Sequence, residues 1–140
     1  MAFGKDVAGS ARRHFKAAVD LCATTEAGAK RGNLAVAGYL FGLSGELAVK
    51  EIMRDSGMTP LPAEQRRDDP FYHHFPTLKT LLLDGAKGRR ARELRKLAEQ
   101  AQLFQYWDTE MRYAPTADIK DEWITAWRES AKQLIEQMTV

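Results

Sequence analysis

The chain has 140 residues, 44% hydrophobic and 29% charged, the balance of a globular domain long enough for one buried core. Its formal net charge of +2 is too small to imply a polyanion partner by itself, and no stretch approaches the about 20 continuous apolar residues that span a bilayer. The single cysteine, Cys22, excludes an internal disulfide and a structural zinc site, and the opening "MAFGKDVAGSARRHF" lacks the apolar core of a signal peptide, so a cytoplasmic location with no membrane partner is expected.

Apolar spacing is helical almost throughout. Val7, Ala11, Phe15, Ala18 and Cys22 recur every three to four residues and predict a helix over about residues 4–27, ended by the glycines of "EAGAKRGN". The next segment can be capped by Asn33 and stopped by Gly57, with Val36, Leu40, Leu43 and Leu47 on one stripe. It also carries Ala35, Gly38, Gly42 and Gly45 on one face. Each interior glycine costs about 1 kcal/mol relative to alanine, so three together predict the close approach of another helix backbone.

Residues 57–73 hold three prolines and no period, and read as a loop. Pro76 and Gly85 bracket a short helix. From Lys87 a long helix carries Leu94, Leu97, Ala101, Phe104 and Met111 and ends before Pro115, and a last helix over about 117–138 buries Trp123, Trp127, Leu134 and Met138. The expected fold is all-α, one domain over residues 1–140, an up-and-down bundle of four long helices plus one short helix.

Several polar residues fall where chemistry is expected. Glu46 and Lys50 are four apart on an apolar helix, a surface ion pair or the border of a cleft. The stripe through Leu97, Ala101, Phe104 and Met111 places Asp108 among core positions, and a buried carboxylate requires a partner. Arg112 is one turn away and Lys50 is available across the bundle, so Glu46, Lys50, Asp108 and Arg112 form an expected polar network. His73 and His74 stand before a helix, as caps or as bases. "KGRRARELRK" holds six basic residues, with Arg89, Arg92 and Lys96 on one face at a spacing suited to nucleic-acid phosphates, or simply solvated. Neither metal nor cofactor is implied, and standard phosphate-loop and nucleophile motifs are absent from the sequence.

Taken together, "GELAVKEIM" with Glu46 and Lys50, "HHFPTLKTLL" with His73, His74 and Leu78, and "WDTEMRYAP" with Arg112 and Tyr113 resemble the HEPN domain family, over about residues 10–138. That resemblance implies a helical bundle, often a homodimer. It also implies RNA or nucleotide binding in defence, toxin-antitoxin or nucleotidyltransferase-linked systems, with a nucleotidyltransferase or other protein as partner. The family's nuclease branch uses an arginine, four to six residues, then a histidine, and acts without metal. Arg67 with His73 fits that spacing, as do Arg66 with His73 and Arg67 with His74, whereas the family places its motif at a helix boundary. Arg112 sits at such a boundary but is followed by no nearby histidine. The expected catalytic set is therefore Arg67, His73, His74 and Arg112, the nucleic-acid-binding set Arg89, Arg92 and Lys96, and the polar network gains Tyr113. A metal-independent ribonuclease and a non-catalytic interaction or dimerisation module are the alternative expectations.

Overall fold

The computed structural model describes residues 4–26 and 31–139 and is all-α. Its helices are α1 (Val7–Glu26), α2 (Arg31–Asp55), α3 (Thr77–Gly85), α4 (Ala91–Glu99) and α5 (Asp121–Met138), with short 3₁₀ turns between them. The turn expected at 27–30, including Gly28, lies outside the described residues. α2 is the axis of the bundle, packing against α1 and α5, while α3 and α4 pair beside it. Among the described residues no helix is long and apolar enough to cross a membrane.

Local chemistry accounts for the helix ends. Asp6 precedes α1 and its Oδ1 accepts the Gly9 amide at 2.9 Å, an N-cap bond. α2 begins at Arg31, so Asn33 lies inside its first turn rather than capping it. At the other end Gly57 has φ +95°, its amide bonds the Arg54 carbonyl at 3.0 Å, and the Met58 amide bonds Met53 at 3.1 Å. These two bonds form the Schellman stop that the glycine predicts.

The face of α2 that goes deepest is not the leucine stripe. Val36 is exposed and Leu40, Leu43 and Leu47 are only partly buried, whereas Ala37, Phe41, Ala48, Val49, Ile52 and Met53 are sealed. A central helix is judged by what its neighbours can approach, and here the small residues admit them. They admit aromatic rings, however, not another helix backbone. A Cβ on Gly42 would lie 1.9 Å from the Trp107 ring, one on Gly45 would lie 2.2 Å from Phe104, and one on Gly38 would lie 3.0 Å from Trp127. The lost helix propensity is offset by burial of three large rings.

The long helix expected from Lys87 to Pro115 ends at Glu99 instead. Residues 100–106 turn, Phe104 and Tyr106 hold positive φ of 53° and 71°, and a 3₁₀ turn follows at Thr109–Tyr113. Two tertiary interactions explain the break. Lys79 Nζ on α3 donates to the carbonyls of Gln100 at 2.5 Å and Leu103 at 2.9 Å, satisfying oxygens that a continued helix would have bonded itself. The turn also carries Phe104 to the Gly45 notch and Trp107 to the Gly42 notch.

Candidate functional site

α2 carries one polar strip through this apolar setting. Glu46 is 5% exposed, and its carboxylate is held from two sides: Lys50 Nζ lies 3.0 Å from Oε2, and His74 Nδ1 lies 2.6 Å from Oε1. The predicted Glu46–Lys50 pair is thus present and buried, and His74 is the third member that sequence spacing did not place. An ionised carboxylate only accepts hydrogen bonds, so the contact puts a proton on Nδ1. The side chain is 55% exposed, and Nε2 is the ring nitrogen that this contact does not use. A carboxylate-anchored imidazole of this kind can exchange a proton with a group placed beside it.

Asp108 does not join this network. The helix break turns it outward, where its Oδ1 accepts the Glu110 amide at 2.9 Å and caps the 3₁₀ turn. An exposed carboxylate needs no cationic partner, which removes the reason for the expected Asp108–Arg112 pair. Arg112 instead lies over the Tyr113 ring, 4.8 Å from its centroid, and meets Tyr39 of α2. The hydrogen bond to Tyr39, followed by the nearby Tyr113 hydroxyl, raises the guanidinium pKa above its ordinary value. Tyr39 and Glu46 are seven residues apart, two turns of one face and about 10 Å along the axis. Arg112 and Tyr113 therefore extend the strip without touching its centre.

Of the candidate arginine and histidine pairs, Arg66 and His73 meet through the arginine's backbone carbonyl. Arg67 is exposed on the 3₁₀ turn Ala63–Asp68. His73 Nε2 lies 3.0 Å from the Arg66 carbonyl oxygen and its ring meets Tyr72 edge-on, so it serves the loop's own shape. His74, the next residue, turns to Glu46.

Beside the strip the proline-rich loop folds against α2 and encloses a cleft of about 500 Å³. Cations from three parts of the chain line it: Lys5, Lys50 with Arg54 one turn later, and Arg66. Its apolar and aromatic wall includes Val7, Leu47, Leu61, Phe71 and Tyr72. The carboxylate in the lining, Asp69, is buried and already occupied, its oxygens accepting the amides of Leu61 at 3.1 Å and Phe71 at 2.9 Å. Those bonds pin the loop and hold the wall in place. Arg54 has a loose contact with Glu51 at 3.7 Å, and the Arg66 guanidinium sits 5.1 Å from the Tyr72 ring centroid. Sequence spacing singled out Lys50, four residues after Glu46, and Arg66, ahead of His73; Lys5, Arg54 and Tyr72 reach the cleft through the fold.

The basic run at 87–96 divides by role. Arg90 is buried, donating to both Glu93 oxygens at 2.6 and 2.8 Å, to Asp55 at 3.1 Å and to the Gln137 carbonyl at 2.7 Å. It ties the ends of α2, α4 and α5 together and is structural. Arg89 precedes α4 and pairs with Asp55 at 2.5 Å, while Arg92 and Lys96 are exposed one turn apart on α4. The expected three-residue face is thus a two-residue face with Arg89 engaged elsewhere. No family model, curated protein or solved structure matches this chain.

Proposed function

We propose that this protein is a HEPN-like helical bundle that binds RNA or a nucleotide, taking phosphate in the cleft between α2 and the proline-rich loop. The observation that carries this reading is charge: four cations converge on one cleft whose own carboxylate is occupied by backbone amides. Cations gathered at a concave surface focus field and attract polyanions even when net charge is near zero; Lys50 keeps its Glu46 pair at 3.0 Å and Arg54 its loose Glu51 contact at 3.7 Å while lining the cleft. Labelled RNA binding measured by fluorescence anisotropy across a salt series tests it. Lys50→Gln with Arg66→Gln is expected to weaken binding and flatten its salt dependence, because a phosphate that no longer meets a cation keeps its counterions. The Arg92→Gln, Lys96→Gln pair is the comparison: a loss confined to that pair moves the site to α4, and salt-insensitive or absent binding overturns the proposal.

One observation favours a ribonuclease as the second reading, the His74 imidazole anchored by buried Glu46. In that reaction a ribose 2′-oxygen bonds to the adjacent phosphorus as the P–O5′ bond breaks and the departing 5′-oxygen takes a proton from water, leaving a 2′,3′-cyclic phosphate and a 5′-hydroxyl end. His74 would take the 2′-hydroxyl proton through Nε2 and a cleft arginine would stabilise charge on the phosphate oxygens. Incubation of labelled RNA in chelator decides it: cyclic-phosphate products lost in His74→Ala support cleavage, and intact RNA confines the protein to binding. The proposal extends to a homodimer acting beside a nucleotidyltransferase or within a defence or toxin-antitoxin system, for which the solution mass by light scattering is the first test.

A further inference from the structure

The cleft mixes cations with apolar and aromatic surface, and that mixture specifies more than an anion. On the α2 side Lys50 and Arg54 stand one helical turn apart, a row of positive charge. The loop contributes Leu61, Phe71 and Tyr72, and Tyr72 is 59% exposed, so its ring is accessible to a ligand. Arg66 lies over the Tyr72 ring, placing a planar cation beside an aromatic in the cleft lining. The volume, about 500 Å³, is that of a site for one small-molecule-sized group. Inorganic phosphate would satisfy the cations and leave the aromatic wall unused. A purely apolar ligand would strand the charges.

We infer that the cleft takes one unstacked nucleotide, its phosphate on Lys50 and Arg54 and its base against Tyr72, so that the protein selects single-stranded RNA or mononucleotides over duplex. The inference rests on the proposal that this cleft binds RNA or nucleotide. Paired bases are stacked on one another and present edges, not faces, so a duplex can offer the cations its backbone but cannot offer Tyr72 a ring. Base-aromatic stacking tolerates any base because every base has a π face, so discrimination is by strandedness and not by sequence.

The test compares a single-stranded oligoribonucleotide, the same sequence in a blunt duplex, adenosine 5′-monophosphate and inorganic phosphate, for the wild type, Tyr72→Ala and Tyr72→Phe. Tyr72 is largely exposed, so neither change disturbs the core. Expected are binding of the single strand at least tenfold tighter than of the duplex, and of the mononucleotide over phosphate. Tyr72→Ala loses about tenfold for the single strand with no change for the duplex, and Tyr72→Phe retains wild-type affinity. Equal affinity of wild type and Tyr72→Ala for the single strand, with Lys50→Gln still impaired, overturns base stacking and leaves phosphate binding standing. Absence of binding to every probe removes the underlying proposal as well. Duplex bound as tightly as single strand also overturns the inference, because the cations would then be reading backbone alone.

Discussion

The indole of Trp107 occupies the space that a side chain on Gly42 would fill. A Cβ there would lie 1.9 Å from Cε2, and the indole Nε1 donates to the Gly38 carbonyl at 3.2 Å, one turn earlier on the same helix. Helix propensity favours Gly42→Ala by about 1 kcal/mol, whereas forcing apart a packed core costs about 1–3 kcal/mol or more. With so close an approach to a buried ring the second term wins, and Gly42→Ala is expected to lower the urea midpoint. Combining it with Trp107→Leu gives less than the sum of the two losses, a coupling of at least about 0.5 kcal/mol. A more stable Gly42→Ala would show that the ring can retreat freely and that the notch is not what holds it.

Arg90 is expected to be the costliest surface-run residue to replace. Its side chain is 4% exposed and holds Glu93, Asp55 and the Gln137 carbonyl. Removing it breaks charge-assisted hydrogen bonds to two carboxylates and a carbonyl, but leaves Asp55 and Glu93, 43% and 30% exposed, within reach of water, at about 1–3 kcal/mol. Arg90→Ala should lose that much by denaturant unfolding, Arg90→Lys should recover little because an ammonium lacks the planar fork, and Arg92→Ala should stay within about 0.5 kcal/mol.

Asp55 sets an acid limit. Desolvation works to raise its pKa, but hydrogen bonds and charge from Arg90 and Arg89 outweigh it and hold the carboxyl below its ordinary value of 3.8. The folded state therefore binds the proton less readily than the unfolded state. The stabilisation is complete above the unfolded value and is lost as pH falls through the lower folded one. In an unfolding series from pH 6 to pH 2, Asp55→Asn should be less stable than wild type at pH 6, with the difference shrinking as pH falls below 3.8. Parallel curves across the range would assign the bond no ionic character.

Arg54 separates binding from folding. It is exposed at the cleft with a loose Glu51 contact, and such pairs contribute little to stability. Arg54→Gln should leave the melting temperature nearly unchanged and reduce the magnitude of the salt slope of RNA binding by about one. A lowered melting temperature with an unchanged slope would make Arg54 a structural residue.

Gly88 joins α3 to α4 with φ +87°, and a Cβ there would meet the Ser56 carbonyl oxygen at 1.8 Å, backbone that cannot give way. Gly88→Ala should destabilise by more than Gly85→Ala, whose added carbon would meet only Pro70 at 3.9 Å. Equal effects in thermal melts would mean that the Ser56 approach is not held tightly.

Local periodicity by itself determined the all-α class, the positions of α1, α2, α3 and α5, the Gly57 stop and the Glu46–Lys50 pair, because each depends on residues three or four apart. Only the tertiary structure decided the end of α4. Nothing between Gln100 and Gln105 breaks a helix locally; Lys79, from another helix, takes the carbonyls, and α2's notches draw Phe104 and Trp107 inward. That one non-local event moved Asp108 from an expected core position to solvent and dissolved its pairing with Arg112. It was also long-range packing that brought His74 to Glu46, 28 residues away, and set Lys5, Arg66 and Tyr72 around one cleft. Spacing carries the chemistry of a single helix face, whereas a site assembled from a terminus, a helix and a loop exists only once the chain has closed on itself.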